Sequence, residues 1–310
     1  MPSLRSVHRI LHVSDLHLER AGTEQYPGLF DRLQRIREVA RGLRPDLVVA
    51  TGDLTNRGAS APVDFALARD WLEGFGVPYV VVPGNHDLGA NRERGVQFPQ
   101  YEAYEEGDYP STGYGRAFGA NLVAAAQLGD LTFLGVPLRE DDPDGALAAL
   151  SAAIDRAPGR VVVAGHYPAV LTRVPTLPEA FGAHGYVDRA AERLREVLDS
   201  SEKVIAYLCG HVHLTSTRQV GRRCVQFTAG GLGPGAAALR LYEWDGETWW
   251  FETHDVEGPQ VFWEIGSVQA RRDPYFSRGT AAEREGSWHP SLGELRPVTP
   301  GAPSTPAPPV

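Results

Sequence analysis

Five short segments carry the residues that could do chemistry in this chain. "SDLH", "TGDLTN", "VVPGNHDLG", "AGHYP" and "CGHVH" place Asp15 with His17, Asp53, Asn85 with His86 and Asp87, His166, and His211 with His213 directly after apolar runs. A carboxylate, amide or imidazole buried without a partner costs several kcal/mol, so such groups either face solvent or are satisfied by something strong. In an extended chain, residues two apart point to the same side, so Asp15 with His17, and His211 with His213, each read as a two-pronged claw. Carboxylate oxygens and neutral imidazole nitrogens without thiolates suit divalent ions of the Mn, Fe, Co, Ni or Zn group. One ion would hardly use seven such donors. Two would, if a carboxylate bridges them, and Asp53 is the natural bridge because it arises alone from a central strand. Two ions roughly 3.5 to 4 Å apart generate hydroxide at neutral pH and stabilise both the entering and leaving oxygens of a phosphoryl displacement.

The elements that must position these residues are legible as an alternation of strands and helices. "RILHV", "DLVVA" and "YVVV" are apolar runs separated by "GLFDRLQRIREVARGL" and "PVDFALARDWLEGF", both of helical period. In the first of these, Leu29, Leu33, Ile36, Val39 and Leu43 fall on one stripe. "DLTFLGV", "RVVVAG" and "KVIAYLCG" read as further strands, and "DGALAALSAAIDRA" and "DRAAERLREVLDS" as helices. The rhythm then shifts to "RRCVQFTAG", "AALRLYEW" and "ETWWFETH", with Asp245-Gly246 as a hairpin signal, so antiparallel pairing closes the fold. Ligands of open α/β sheets bind outside the carboxyl ends of the strands, which sends all five segments to one rim. Leu88 to Ala120 reads as a long excursion over one end of the sheet. Residues 1–265 are expected to form the working domain. Residues 266–310, which lose periodicity and end in "RPVTPGAPSTPAPPV", read as a Pro-rich disordered tail.

Composition narrows the function classes. The chain has 310 residues, a net charge of -9 and 42% apolar residues, enough for a sizeable core. The acidic balance argues against an extended nucleic acid as partner, because that binding depends on many cations neutralising phosphates. A single phosphate is another matter: two dications less Asp15 and Asp53 leave a positive site even with one bound hydroxide. Two cysteines, Cys209 and Cys224, show no zinc or disulfide spacing and read as buried thiols. "VHRILHVSDLHL" is too polar for a signal sequence, and no apolar run is long enough to span a bilayer, so a cytoplasmic location is the expectation.

Singly, none of the motifs is decisive; a GHxH usually marks a strand end with structural histidines. Together and in this order, "SDLH", "GDLTN", "GNHD", "GH" and "GHVH" resemble the five-block signature of the calcineurin-like metallophosphoesterases, over roughly residues 8 to 255. The resemblance implies a four-layer α/β/β/α sandwich with mixed sheets and a two-metal centre. It assigns Asp15, His17, Asp53 and His213 to one ion and Asp53, Asn85, His166 and His211 to the other, with Mn, Fe or Zn as the candidate metals. His86 would face the scissile phosphate as the catalytic residue. Asn56, Arg57 and His184 are the candidate substrate contacts. Where several phosphatase branches pair an aspartate with the catalytic histidine, this chain has Asn56, an amide without charge. The "GDLT" style is closer to bacterial cyclic-nucleotide and glycerophosphodiester phosphodiesterases. The expected activity is hydrolysis of a small phosphodiester by a metal-bridging hydroxide. A phosphomonoesterase, a noncatalytic binding module on the same fold and a DNA nuclease are the alternatives.

Overall fold

The computed structural model describes residues 7–20, 28–89, 107–139, 141–172, 190–233, 237–256 and 278–298. Two mixed sheets stack face to face. The first has seven strands in the order β13-β12-β11-β10-β1-β2-β3, and the second six in the order β4-β5-β6-β7-β9-β8. In the first, β1 (His8–Val13), β2 (Leu47–Thr51) and β3 (Tyr79–Val82) are parallel, and β10 (Ala238–Trp244) and β11 (Trp249–Asp255) continue it antiparallel. In the second, β5 (Leu131–Gly135), β6 (Arg160–Ala164), β7 (Val204–Cys209) and β9 (Val225–Thr228) are parallel. Their antiparallel edges are β4 (Ala124–Leu128) and β8 (Ser216–Gln219), two short strands whose polar or alanine-rich sequences gave no strand signal.

Both faces of the central strands are buried, which is why they read as continuous apolar runs rather than alternating ones. The inner faces meet in one cluster, with Val49, Val80 and Val82 from one sheet against Phe133, Val162, Leu208 and Phe227 from the other. On the outer face of the first sheet, α1 (Leu29–Gly42) and α2 (Asp64–Glu73) set Leu33, Ile36 and Trp71 against Leu11, Val48 and Ala50. On the far side, α5 (Ala146–Arg156) and α6 (Ala191–Asp199) set Leu150, Ile154 and Leu194 against Val161, Val163 and Val204. The four-layer α/β/β/α sandwich expected from the sequence is therefore the fold. Each large side chain buried this way contributes about 1.5–3 kcal/mol relative to exposure.

Three expectations need correction. Val39 is 51% exposed, and Ala40 takes its place on the buried stripe of α1 together with the stem of Arg32. The excursion from Leu88 to Ala120 is structured where described: Tyr109 and Tyr114, the latter on α4 (Gly113–Phe118), pack into the helical layer beside Phe65, and residues 90–106 lie outside the described residues. The third concerns the tail. Residues 278–298 form α7 (Ala281–Arg284), β12 (Gly286–His289) and β13 (Glu294–Pro297), which extend the first sheet beyond β11. Trp288 is fully buried in the inter-sheet cluster, and its indole N–H donates to the carbonyl of Ile205 at 2.9 Å. Buried Arg240 donates to the carbonyls of Ser216 at 2.6 Å and Glu283 at 2.9 Å, fastening α7 to the core. "GSWH" is too short to show a strand period, so local pattern missed it.

Candidate metal centre

The motif residues stand just past the carboxyl ends of the parallel strands. Asp15 and His17 follow β1, Asp53 follows β2, Asn85 opens α3 (Asn85–Leu88) after β3, His166 follows β6, and His211 and His213 follow β7. Both sheets thus deliver donors to one rim. The claws are not extended chain, however. Asp15, His17, Asp53, His211 and His213 have φ of 54°, 49°, 48°, 71° and 53°, five of the nine non-glycine residues with positive φ among the described residues. That left-handed region is costly for side chains and collects at functional sites. Isolated left-handed residues turn the chain as it leaves the sheet. Hydrogen bonds from Asp15 N to Gly52 O (2.9 Å) and His17 N to Asp53 O (2.9 Å) then hold the two strand exits side by side.

Space at the rim is closed down by glycine. A Cβ on Gly52, whose φ is +90°, would come within 2.5 Å of His166 Nδ1, and one on Gly210 within 2.6 Å of Asp15 Oδ2. Only glycine lets these backbones approach so closely.

Two donor groups result. Asp15, His17, Asp53 and His213 offer atoms all within 4.8 Å of one another, and so do Asp53, His166 and His211; Asp53 belongs to both. Asp53 Oδ2 lies 3.3 Å from His166 Nε2 and 3.8 Å from His17 Nε2, while Asp15 Oδ1 lies 3.3 Å from His213 Nε2. Asn85 adds its Oδ1 at 3.1 Å from His166 Nε2. Imidazole nitrogens face each other at 3.3 Å (His17 and His213) and 3.2 Å (His166 and His211). Lone pairs converging so closely from buried rings, beside two carboxylates and without a thiolate, fit divalent cations.

Burial and neighbouring charges act in opposite senses on the ionisation of these groups. Burial works against ionised Asp53, but the imidazoles of His166, His86 and His17 outweigh it and hold the carboxyl well below its usual range. Burial likewise opposes protonation of His166, yet the charge of Asp53 and their hydrogen bond push it up to about 9. Burial and the neighbouring His86 pull His17 down to about 3.

His86 lies at the edge of this cluster and is only half-buried. Its backbone N–H donates to Asp53 Oδ1 at 2.8 Å, its ring stands edge-on to His17 at 4.6 Å, and its Nδ1–H donates to the main-chain carbonyl of Asn56 at 2.8 Å. The sequence comparison of Asn56 with a catalytic aspartate is amended accordingly: its backbone carbonyl meets His86. Arg57 is exposed, with Nε 3.7 Å from Glu19. His184 lies outside the described residues.

Asp87, the last residue of "GNHD", has a structural part. Fully buried, it accepts from the N–H groups of Leu54 and Thr55 (both 3.0 Å) and Gly84 (2.9 Å) and from the Thr55 hydroxyl (2.8 Å). It pins the exits of β2 and β3 together. A carboxylate at the third position of a helix, three residues after its cap glycine, was the available signal. His12, on β1, is fully buried between Thr51 and Tyr242. Cys209 and Cys224 are buried free thiols, as expected.

The fold is thus a two-sheet α/β/β/α sandwich that gathers buried aspartates and histidines at one rim. Residues 8–214 match the sequence profile of the calcineurin-like phosphoesterases, and the chain belongs to that family. It is 26% identical over 216 residues to a probable glycerophosphodiester phosphodiesterase GpdQ of Arcobacter nitrofigilis, a match spanning 67% of this chain and 72% of the relative. It is 35% identical over 104 residues to a probable cyclic nucleotide phosphodiesterase of Moraxella catarrhalis, covering 33% of this chain and 35% of that one. Among solved structures, the fold resembles a dimetal phosphatase from Danio rerio (TM-score 0.54, 14% identity, 81% of this chain and 97% of that one). It also resembles the purple acid phosphatase PPD1 of yellow lupin (TM-score 0.57, 14% identity, 84% and 54%). Among the described residues, no helix is long and apolar enough to cross a membrane.

Proposed function

We infer that this phosphoesterase hydrolyses a small phosphodiester, a cyclic nucleotide or a glycerophosphodiester-like ester, and that Asp15, His17, Asp53 and His213 would hold one divalent ion and Asp53, Asn85, His166 and His211 a second. The observation that carries the reading is the membership of Asp53 in both donor groups, with Asn85 completing the second. The phosphodiesterase names of the relatives support the diester over the monoester. When bound, divalent ions supply Lewis acidity toward phosphoryl oxygens and lower the pKa of water toward neutrality.

The chain's own residues do the rest. Asp53 sets the distance between the two groups, with Oδ1 on the His86 N–H and Oδ2 toward His17 and His166. His86, oriented through Nδ1 by the Asn56 carbonyl, presents Nε2 to the scissile phosphate. In its imidazolium form it offsets charge on the transition state and delivers the Nε2 proton to the departing oxygen. Half-burial leaves His86 reachable by substrate while the donors beneath it stay away from bulk water.

The test is hydrolysis of bis-p-nitrophenyl phosphate, cyclic AMP and glycerophosphocholine by chelator-stripped protein resupplied with manganese, zinc or iron. Stripping abolishes turnover and resupply restores it; His86→Ala lowers kcat by about 10²–10⁴ with both ions still bound. Full activity of metal-free protein would falsify the reading, and a preference for p-nitrophenyl phosphate would move it to the monoesters.

A further inference from the structure

Asn56 touches two histidines at once, by different atoms. The His17 Nδ1–H donates to its side-chain Oδ1 at 3.1 Å, and the His86 Nδ1–H donates to its main-chain carbonyl at 2.8 Å. The residue itself is held firmly: its N–H donates to the Leu18 carbonyl at 3.1 Å, Leu18 N–H donates to the Leu54 carbonyl at 3.0 Å, and Leu18 bridges Thr55 in parallel. It is 5% exposed, so its amide has little access to water.

We propose that Asn56 is a positioning residue for the metal centre: its side-chain carbonyl fixes the tautomer and ring orientation of His17, while its backbone carbonyl independently orients His86. A neutral imidazole with its proton on Nδ1 carries its lone pair on Nε2, the atom that His17 turns toward Asp53 and His213. An acceptor on the far nitrogen of a ligating histidine both orients the ring and raises its basicity, and its loss typically costs 10- to 100-fold in metal affinity. The two duties are separable because every substitution at this position keeps the backbone carbonyl. The amide therefore serves the group of Asp15, His17, Asp53 and His213, and the main chain serves His86. No charge on residue 56 is needed for either, which accounts for an amide here.

The inference rests on the two-ion reading above, and the experiment separates the two. The full chain, stripped with chelator, is titrated with manganese or cobalt by calorimetry, and the cobalt absorption spectrum is recorded. Wild-type protein binds two ions; failure to do so sinks the two-ion reading itself. Asn56→Leu, which removes the side-chain acceptor, weakens one of the two ions by about 10- to 100-fold and alters its cobalt spectrum, leaving the other ion as in wild type. Asn56→Asp, which keeps an acceptor oxygen opposite His17 Nδ1, binds both ions at least as tightly as wild type. Wild-type binding of both ions by Asn56→Leu overturns the proposal, whatever happens to turnover, and so does weakened binding by Asn56→Asp. Should Asn56→Leu not fold, the Asp variant alone decides.

Discussion

His12 shows how a single side chain in the core records the chemistry of its surroundings. Its Nδ1 hydrogen-bonds the Tyr242 hydroxyl at 3.0 Å and its Nε2 hydrogen-bonds Thr51 Oγ1 at 2.9 Å, so a neutral ring is satisfied at both nitrogens. Burial, helped by nearby Arg240, pulls its pKa down to about 3. In the unfolded chain the same group titrates near 6.5, so between those values the unfolded state binds more protons and acid works against folding. Stability from this residue is complete above pH 6.5 and is lost as pH falls toward 3, by on the order of 1 kcal/mol per unit. The substitution His12→Gln keeps polar contact without the titration. Compared in chelator at pH 7 and pH 4.5, wild type loses more of its urea midpoint than the variant; equal losses would show that His12 carries no proton linkage.

At the scale of elements, β12 and β13 are the informative case. The hydrophobic pattern fades after β11, yet Trp288 and the Arg240 contacts bring residues 278–298 back onto the sheet. Trp288→Ala removes a fully buried indole and a hydrogen bond to Ile205, a loss of about 3–5 kcal/mol in chemical unfolding. A midpoint unmoved by this change would mean the segment is a passive appendage. The strand exits carry a second lesson. Spacing of two put Asp15 beside His17 and His211 beside His213, as the sequence suggests, but through left-handed residues rather than strand pleat.

Across the whole molecule, the donor groups join the two sheets: Asp15, His17, Asp53 and Asn85 come from one, and His166, His211 and His213 from the other. Ions bound there would tie the layers together and stabilise only the folded state. At a hundredfold excess over the dissociation constant, one ion adds about 2.7 kcal/mol. Melting temperature therefore rises with manganese concentration in wild type, and the rise is blunted in Asp53→Asn, which alters both groups at once. A melting temperature indifferent to manganese would contradict any metal role for the rim.

The sequence by itself determined the alternation of central strands and helices, the residue types at the strand exits and their order along the chain. Long apolar runs and helical periods are local signals, so β1, β2, β3, β5, β6, β7, β9, β10 and β11 and the four long helices were legible. The tertiary structure alone decided that Asp87 clamps two strand exits, that Asn56 divides its amide and its carbonyl between two histidines, and that "GSWH" is a strand. Each of these involves at least one partner 30 or more residues away in sequence, as with Leu54 and Asp87, and directional contacts between distant segments leave no period for a local pattern to reveal.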